Sequence, residues 1–104
     1  MNNDLLENKR DMFAIDIANL CGIGKNYLTN HKGIDFVHSD KKKTIDGNEH
    51  IFLRAERPSD NHMGFDFCEV ILPENKIYLA FGFSDTELIF IEQFLSEKIA
   101  EIMQ

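Results

Sequence analysis

The residues Ser84-Asp85-Thr86-Glu87 constrain this chain more tightly than any others, because they spell the start of a helix. A serine at the cap position can accept from the amide three residues on, and a glutamate there can reach back to the cap amide. Asp85 adds negative charge at the positive end of the helix dipole. Leu88, Ile91, Leu95, Ile99 and Ile102 then recur at three- and four-residue intervals, and Phe90, Phe94 and Met103 widen the stripe. This periodicity predicts one amphipathic helix over 85–103 that needs an apolar surface to cover.

The residues before it supply that surface. Phe65 and Phe67 alternate with Asp66, and the run from Cys68 to Leu72 is almost continuously apolar, with the alternation slipping near Glu69 as at a bulge. Pro73-Glu74-Asn75-Lys76 carries turn chemistry. In the next run, Ile77, Leu79, Phe81 and Phe83 share one face, with Tyr78, Ala80 and Gly82 on the other. Small residues at 80 and 82 would let another backbone or a helix approach closely. Upstream, 51–57 reads as a strand and 34–37 as a shorter one, with Asp46-Gly47 marking a turn between them. The first third reads as helical, with Leu6, Phe13, Ile17, Leu20 and Cys21 on one face and Gly22 as the stop. The expected fold is therefore α+β, a single domain over 1–104. It has an N-terminal helical segment, an antiparallel meander of three or four strands over about 34–83, and the long C-terminal helix packed on that sheet.

Charge is unevenly placed. The net charge is −7, yet residues 1–43 hold seven basic against six acidic residues, and residues 44–104 hold four against twelve. An acidic surface repels nucleic acid and membranes and attracts basic proteins. No apolar stretch approaches the roughly 18–20 residues that cross a bilayer, and the first residues lack the basic and apolar pattern of a signal peptide. A cytoplasmic protein with reduced Cys21 and Cys68 is expected.

Candidate chemistry is sparse. His31, His38, His50 and His62 show no metal-ligand spacing with each other or with the cysteines, so no metal or cofactor is expected. No Ser or Cys sits in a nucleophile motif, and the chain is expected not to be an enzyme. Cys21-Gly22-Ile23-Gly24-Lys25 has the look of a phosphate loop but lacks its first glycine and has Asn26 where a Ser or Thr would hold magnesium. The carboxylates of the predicted middle strands and their loops, Glu56, Asp60, Asp66, Glu69 and Glu74, are expected to form an outward patch beside Tyr78. Asp66 should point outward because Phe65 and Phe67 on either side should point in. Such a patch steers a basic partner and pairs with its Lys and Arg. The leading expectation is thus a small acidic inhibitor of the immunity or antitoxin kind that occludes a basic, toxin-like protein.

Residues 14–33 carry the one specific local motif. Ala18 is a small residue in a first helix, Gly22 a turn, Ile23 an anchor and Leu28 an inward residue of a second helix. This stretch resembles the helix-turn-helix of many DNA-binding proteins, with departures at Gly24 and at His31, where an apolar residue normally closes the core. The resemblance implies a DNA-binding regulator that presents Lys25, Asn26, Thr29, Asn30 and Lys32 to a groove. A third expectation is a homodimer through Leu88-Ile89-Phe90-Ile91, which is apolar on every side.

Overall fold

The computed structural model describes residues 22–104. The helical segment expected earlier in the chain, and residues 14–21 of the helix-turn-helix-like stretch, lie outside those residues. Six strands follow one another: β1 (Asn26–His31), β2 (Ile34–His38), β3 (Lys42–Lys43), β4 (Glu49–Pro58), β5 (Phe65–Leu72) and β6 (Lys76–Phe81). They form an antiparallel sheet in the order β1-β2-β4-β5-β6, with β3 pairing with β4 off that path. The chain closes with α1 (Asp85–Ser96) and α2 (Ile99–Ile102).

This overturns the expected fold in two places. The sheet is wider than a three- or four-stranded meander, because the stretch read as a recognition helix is β1. Lys32 and Gly33 hold φ of 54° and 86°. Two positive φ values in succession make the tight turn that twists with its flanking strands, so the chain doubles back as a hairpin. Leu28, taken as the inward residue of a helix, is the extra residue of a bulge where the register slips between Tyr27 and Thr29.

The long C-terminal helix is also absent. The capping box at its start is present: the Glu87 amide donates to Ser84 Oγ at 3.2 Å, and the Ser84 amide donates to Glu87 Oε1 at 2.8 Å. But α1 ends after 12 residues and α2 has only 4. The Ser96 hydroxyl donates to the Gln93 carbonyl at 2.7 Å, the carbonyl that the Glu97 amide would need to continue the helix. Glu97 and Lys98 bond instead to Phe94 and Leu95, three residues back, which tightens and turns the chain.

The core lies on one face of the sheet. Ile34 and Phe36 of β2, Ile51, Leu53 and Ala55 of β4, and Cys68, Val70 and Leu72 of β5 form one cluster with Ile91, Leu95 and Ile102. Leu88 and Phe90 pack against the same cluster, and of the four residues read as a dimer surface only Ile89 is exposed. Among the described residues, no helix is long and apolar enough to cross a membrane.

Candidate protein-binding face

The opposite face of the sheet is built by the alternate residues of the same strands. On β4 these are Phe52, Arg54 and Glu56; on β5, Phe67, Glu69 and Ile71. The register pairs Arg54 directly with Glu69. Arg54 Nε donates to Glu56 Oε1 and Arg54 Nη1 to Glu69 Oε2, both at 2.8 Å, and the guanidinium lies over the Phe67 ring at 4.1 Å. Tyr78 donates its hydroxyl to Glu69 Oε1 at 3.3 Å. Burial, and then the neighbouring Glu69 carboxylate, pushes the Tyr78 phenol well above its ordinary range. Its ring stands edge-on to Phe52, and Phe52, Ile71 and Tyr78 are buried with Ile23 against them.

The rest of this face is open. Phe65 is 50% exposed, Leu79 47% and Phe81 54%. Phe81 is the register partner of Phe67, and Leu79 that of Glu69, so Phe81 lies beside Phe67 and Leu79 beside Glu69 on this face. A register slip at Glu69/Val70 leaves Tyr78 as an extra residue in β6. The slip expected within the alternation of β5 near Glu69 is not there: β5 alternates regularly against β4, and the extra residue lies opposite, in β6. Its effect is to put Ile77 on the core side and to turn Leu79 and Phe81 to the outside. Met63, in the β4–β5 loop two residues before Phe65, is wholly exposed.

The carboxylates singled out from the sequence do not form one patch. Glu56 and Glu69 share the outer face with Tyr78, but both are engaged by Arg54. Asp60 is exposed in the β4–β5 loop. Glu74 lies at the other end of the sheet, in the β5–β6 turn, where it meets His50. Asp66 points the opposite way from the expectation. It sits on the core side and is buried, because the partners that neutralise it are there.

Arg57 Nε donates to Asp66 Oδ2 at 3.0 Å, and Arg57 Nη1 to Glu87 Oε2 at 2.6 Å, with the guanidinium over Phe83. His62 Nε2 lies 3.1 Å from Asp66 Oδ1, and Ser59 adds a side-chain hydrogen bond. The Arg57 guanidinium holds both the Asp66 and the Glu87 carboxyl below their ordinary range. Gly82 does admit a close neighbour, but it is the Asp66 side chain and not the backbone or helix expected there.

Ser59, His62 and Asp66 thus meet, but not as a nucleophilic triad. The second ring nitrogen of His62 faces the Met63 carbonyl at 2.9 Å, so neither nitrogen faces the serine hydroxyl. Cys68 is buried, and desolvation pushes its thiol up to about 12. Among the described residues, no three of His, Cys, Asp and Glu converge in a way that holds a metal ion.

The residues expected to read DNA are engaged within the β1–β2 hairpin. Lys25 Nζ donates to Asp40 Oδ2 at 2.6 Å, and Asn26 Nδ2 to Asp40 Oδ1 at 3.0 Å. Asn30 Nδ2 donates to Asp35 Oδ1 at 2.9 Å, and its own Oδ1 accepts from the Gly33 amide. Thr29 lies across from Phe36, and Lys32 is in the turn, with Nζ over the Phe90 ring. No helix presents them, so the groove-reading geometry implied by the resemblance is not formed.

Phe65, Leu79 and Phe81 were not anticipated as surface residues. For Phe65 a signal exists in the spacing of charge. Arg54 and Arg57 are an odd number of residues apart, as are Asp66 and Glu69, so each pair must straddle the sheet. One acid of the two had to be on the core side; with Asp66 there, Phe65 and Phe67 on either side of it turn outward. No family model, curated protein or solved structure matches this chain.

Proposed function

We propose that the chain is a protein-binding module that docks a basic partner on the outer face of β5 and β6, as an inhibitor of the immunity or antitoxin kind covers a basic site. The observation that carries this reading is the half-exposed set Phe65, Leu79 and Phe81, which flanks Phe67 and Glu69 on the outer face of β5 and β6. Contiguous exposed apolar side chains on a small protein mark an interaction surface, and large aromatic residues are the usual anchors of such surfaces. Glu56 and Glu69, both paired with Arg54, border Phe67 and Leu79 with polar groups, as the rim of an interface does. The excess of acid over residues 44–104 supplies the long-range attraction that favours a basic protein.

The test compares the wild-type chain with a Phe65→Ser, Phe81→Ser variant. Each is used to capture proteins from the native host, and the captured protein is then purified and titrated by calorimetry. The reading expects a basic protein held by the wild type, at least tenfold weaker binding to the variant, and weaker binding for both as salt is raised. A partner that binds the variant as tightly as the wild type, or a partner that is itself acidic, removes the reading.

A further inference from the structure

His50 begins the exposed side of β4 and is itself buried, with only 3% of its side chain exposed. It stands between two turns. On one side is the loop of residues 44–48 that joins β3 to β4, which brings Asp46 Oδ2 to 3.2 Å from His50 Nε2. On the other is the β5–β6 turn, which brings Glu74 Oε1 to 3.0 Å from Nδ1. Both neighbours are acceptors. A neutral imidazole has one N–H and one lone pair, whereas the imidazolium has two N–H donors. Only the imidazolium donates to both carboxylates at once.

The remaining charged groups around the ring come from each adjoining element. Lys42 is its register partner on β3, Glu49 precedes it on β4, and Lys76 follows the Glu74 turn at the start of β6. Among the described residues the ring's hydrogen bonds go to Asp46 and Glu74, so the two carboxylates decide its donor count.

The two acceptors are not equivalent. Asp46 is fixed from its own loop: Oδ1 accepts from the Thr44 hydroxyl and from the Asn48 amide, the latter at 2.9 Å. Those two bonds, the Thr44 one foremost, hold the Asp46 carboxyl well below its ordinary range. Glu74 has no such tether beyond the ring, and its side chain is 44% exposed. The turn backbone under it is tied separately, by Asn75 Nδ2 donating to the Glu92 carbonyl at 2.9 Å. Glu74 can therefore leave without opening the turn, and Asp46 cannot leave without breaking its loop.

We infer that His50 is a proton-operated clasp between the two turns. As the imidazolium it holds Asp46 and Glu74 together. On losing the Nδ1 proton to solvent it becomes the Nε2–H tautomer, keeps Asp46 and releases the Glu74 side chain. The direction follows from the repulsion between the Nδ1 lone pair and a carboxylate at hydrogen-bond distance, which only the untethered side chain can relieve. Raising the pH thus exposes one more carboxylate at this end of the sheet. The inference does not depend on the binding face proposed above.

The experiment is an NMR titration of the full chain from pH 5 to pH 9. It follows the imidazole nitrogens of His50 and the side-chain carboxyl carbon of Glu74, in the wild type and in Glu74→Gln. A glutamine amide both accepts and donates, so it pairs with either form of the ring. In the wild type, Nδ1 is expected to lose its proton while Nε2 keeps its own, and the Glu74 signal is expected to shift at the same midpoint. The Asn48 amide should not follow. In Glu74→Gln the step in the turn should vanish. A neutral Nδ1–H tautomer, a Glu74 signal that ignores the ring, or a ring that stays in one form across the range each overturns the inference. The wild-type tautomer decides the matter alone if the variant does not fold.

Discussion

Gly82 faces Asp66 so closely that a Cβ on residue 82 would lie 2.1 Å from Asp66 Oδ1. The glycine also holds φ of +90°, a conformation that side chains resist. Two separate costs therefore fall on Gly82→Ala. Backbone strain accounts for roughly 1–2 kcal/mol. Displacing a buried carboxylate from its guanidinium adds to it, for a total on the order of 3 kcal/mol. Urea unfolding should show a lower midpoint at an unchanged slope. A loss under about 1 kcal/mol would mean that Asp66 swings aside freely and is not held by Arg57 and His62.

Arg57 joins β4, β5 and α1 through Asp66 and Glu87, and this sets an acid limit on stability. Both carboxyls titrate below their ordinary values of 3.8 and 4.5 in the folded chain, with Arg57 the first cause in each case. A depressed carboxyl contributes stability that is complete above its ordinary value and is lost as pH falls through the lower, folded one. Arg57→Met should therefore be less stable than the wild type at pH 7, and the two should converge between about pH 5 and pH 2. A gap between them that stays constant over that range would contradict the pairing.

The parts of this fold that the sequence makes legible are the ones fixed by near neighbours. The capping box at Ser84 and Glu87 and the turn at Asp46-Gly47 depend on residues within one turn of chain, and both are present. The facing of Asp66 depends on Arg57, nine residues away, and on Glu87, further still. The ordinary assumption that apolar residues turn inward therefore inverted the reading of Phe65, Asp66 and Phe67. The bulge at Tyr78 inverted Leu79 and Phe81 in the same way, since one extra residue exchanges the faces of all that follow it. Asn26–His31 failed as a helix for a different reason. Its spacing suits either period, and the turn at Lys32-Gly33, with β2 ready to pair, decides for the strand. The candidate site is legible to the same degree: its acids stand in the sequence, but the exposure of Phe65 and Phe81 depends on the Arg57 pairing and on the bulge.

Cys68 gives a direct check on the buried side of the sheet. Desolvation keeps its sulfur as the thiol at neutral pH, with its titration raised to about 12, and the thiolate is the reactive form. In a Cys21→Ser background, a thiol reagent at pH 8 should label Cys68 only as fast as the chain unfolds. Adding urea should accelerate labelling in step with the unfolded fraction. Rapid labelling of the folded chain would show that β5 opens to solvent at Cys68.

The outer face divides into a buried half and an open half, and substitution should separate them. Phe52 is wholly buried there, with its ring against Tyr78, while Phe81 on the same face is 54% exposed. Removing a buried phenylalanine loses both its transfer energy and the packing around the void, so Phe52→Ala should cost about 3–5 kcal/mol. Phe81→Ser removes contacts with Phe67 and the His62 ring but leaves no enclosed cavity, so its cost should stay under about 1 kcal/mol. Partner binding should rank them in reverse, with Phe81→Ser weakening the complex at least tenfold, about 1.4 kcal/mol, while remaining folded. Thermal melts of both variants, read beside calorimetric titration of the partner, make the comparison. If Phe81→Ser unfolds the chain as readily as Phe52→Ala, Phe81 belongs to the structure, and the case for a docking face on β5 and β6 goes with it.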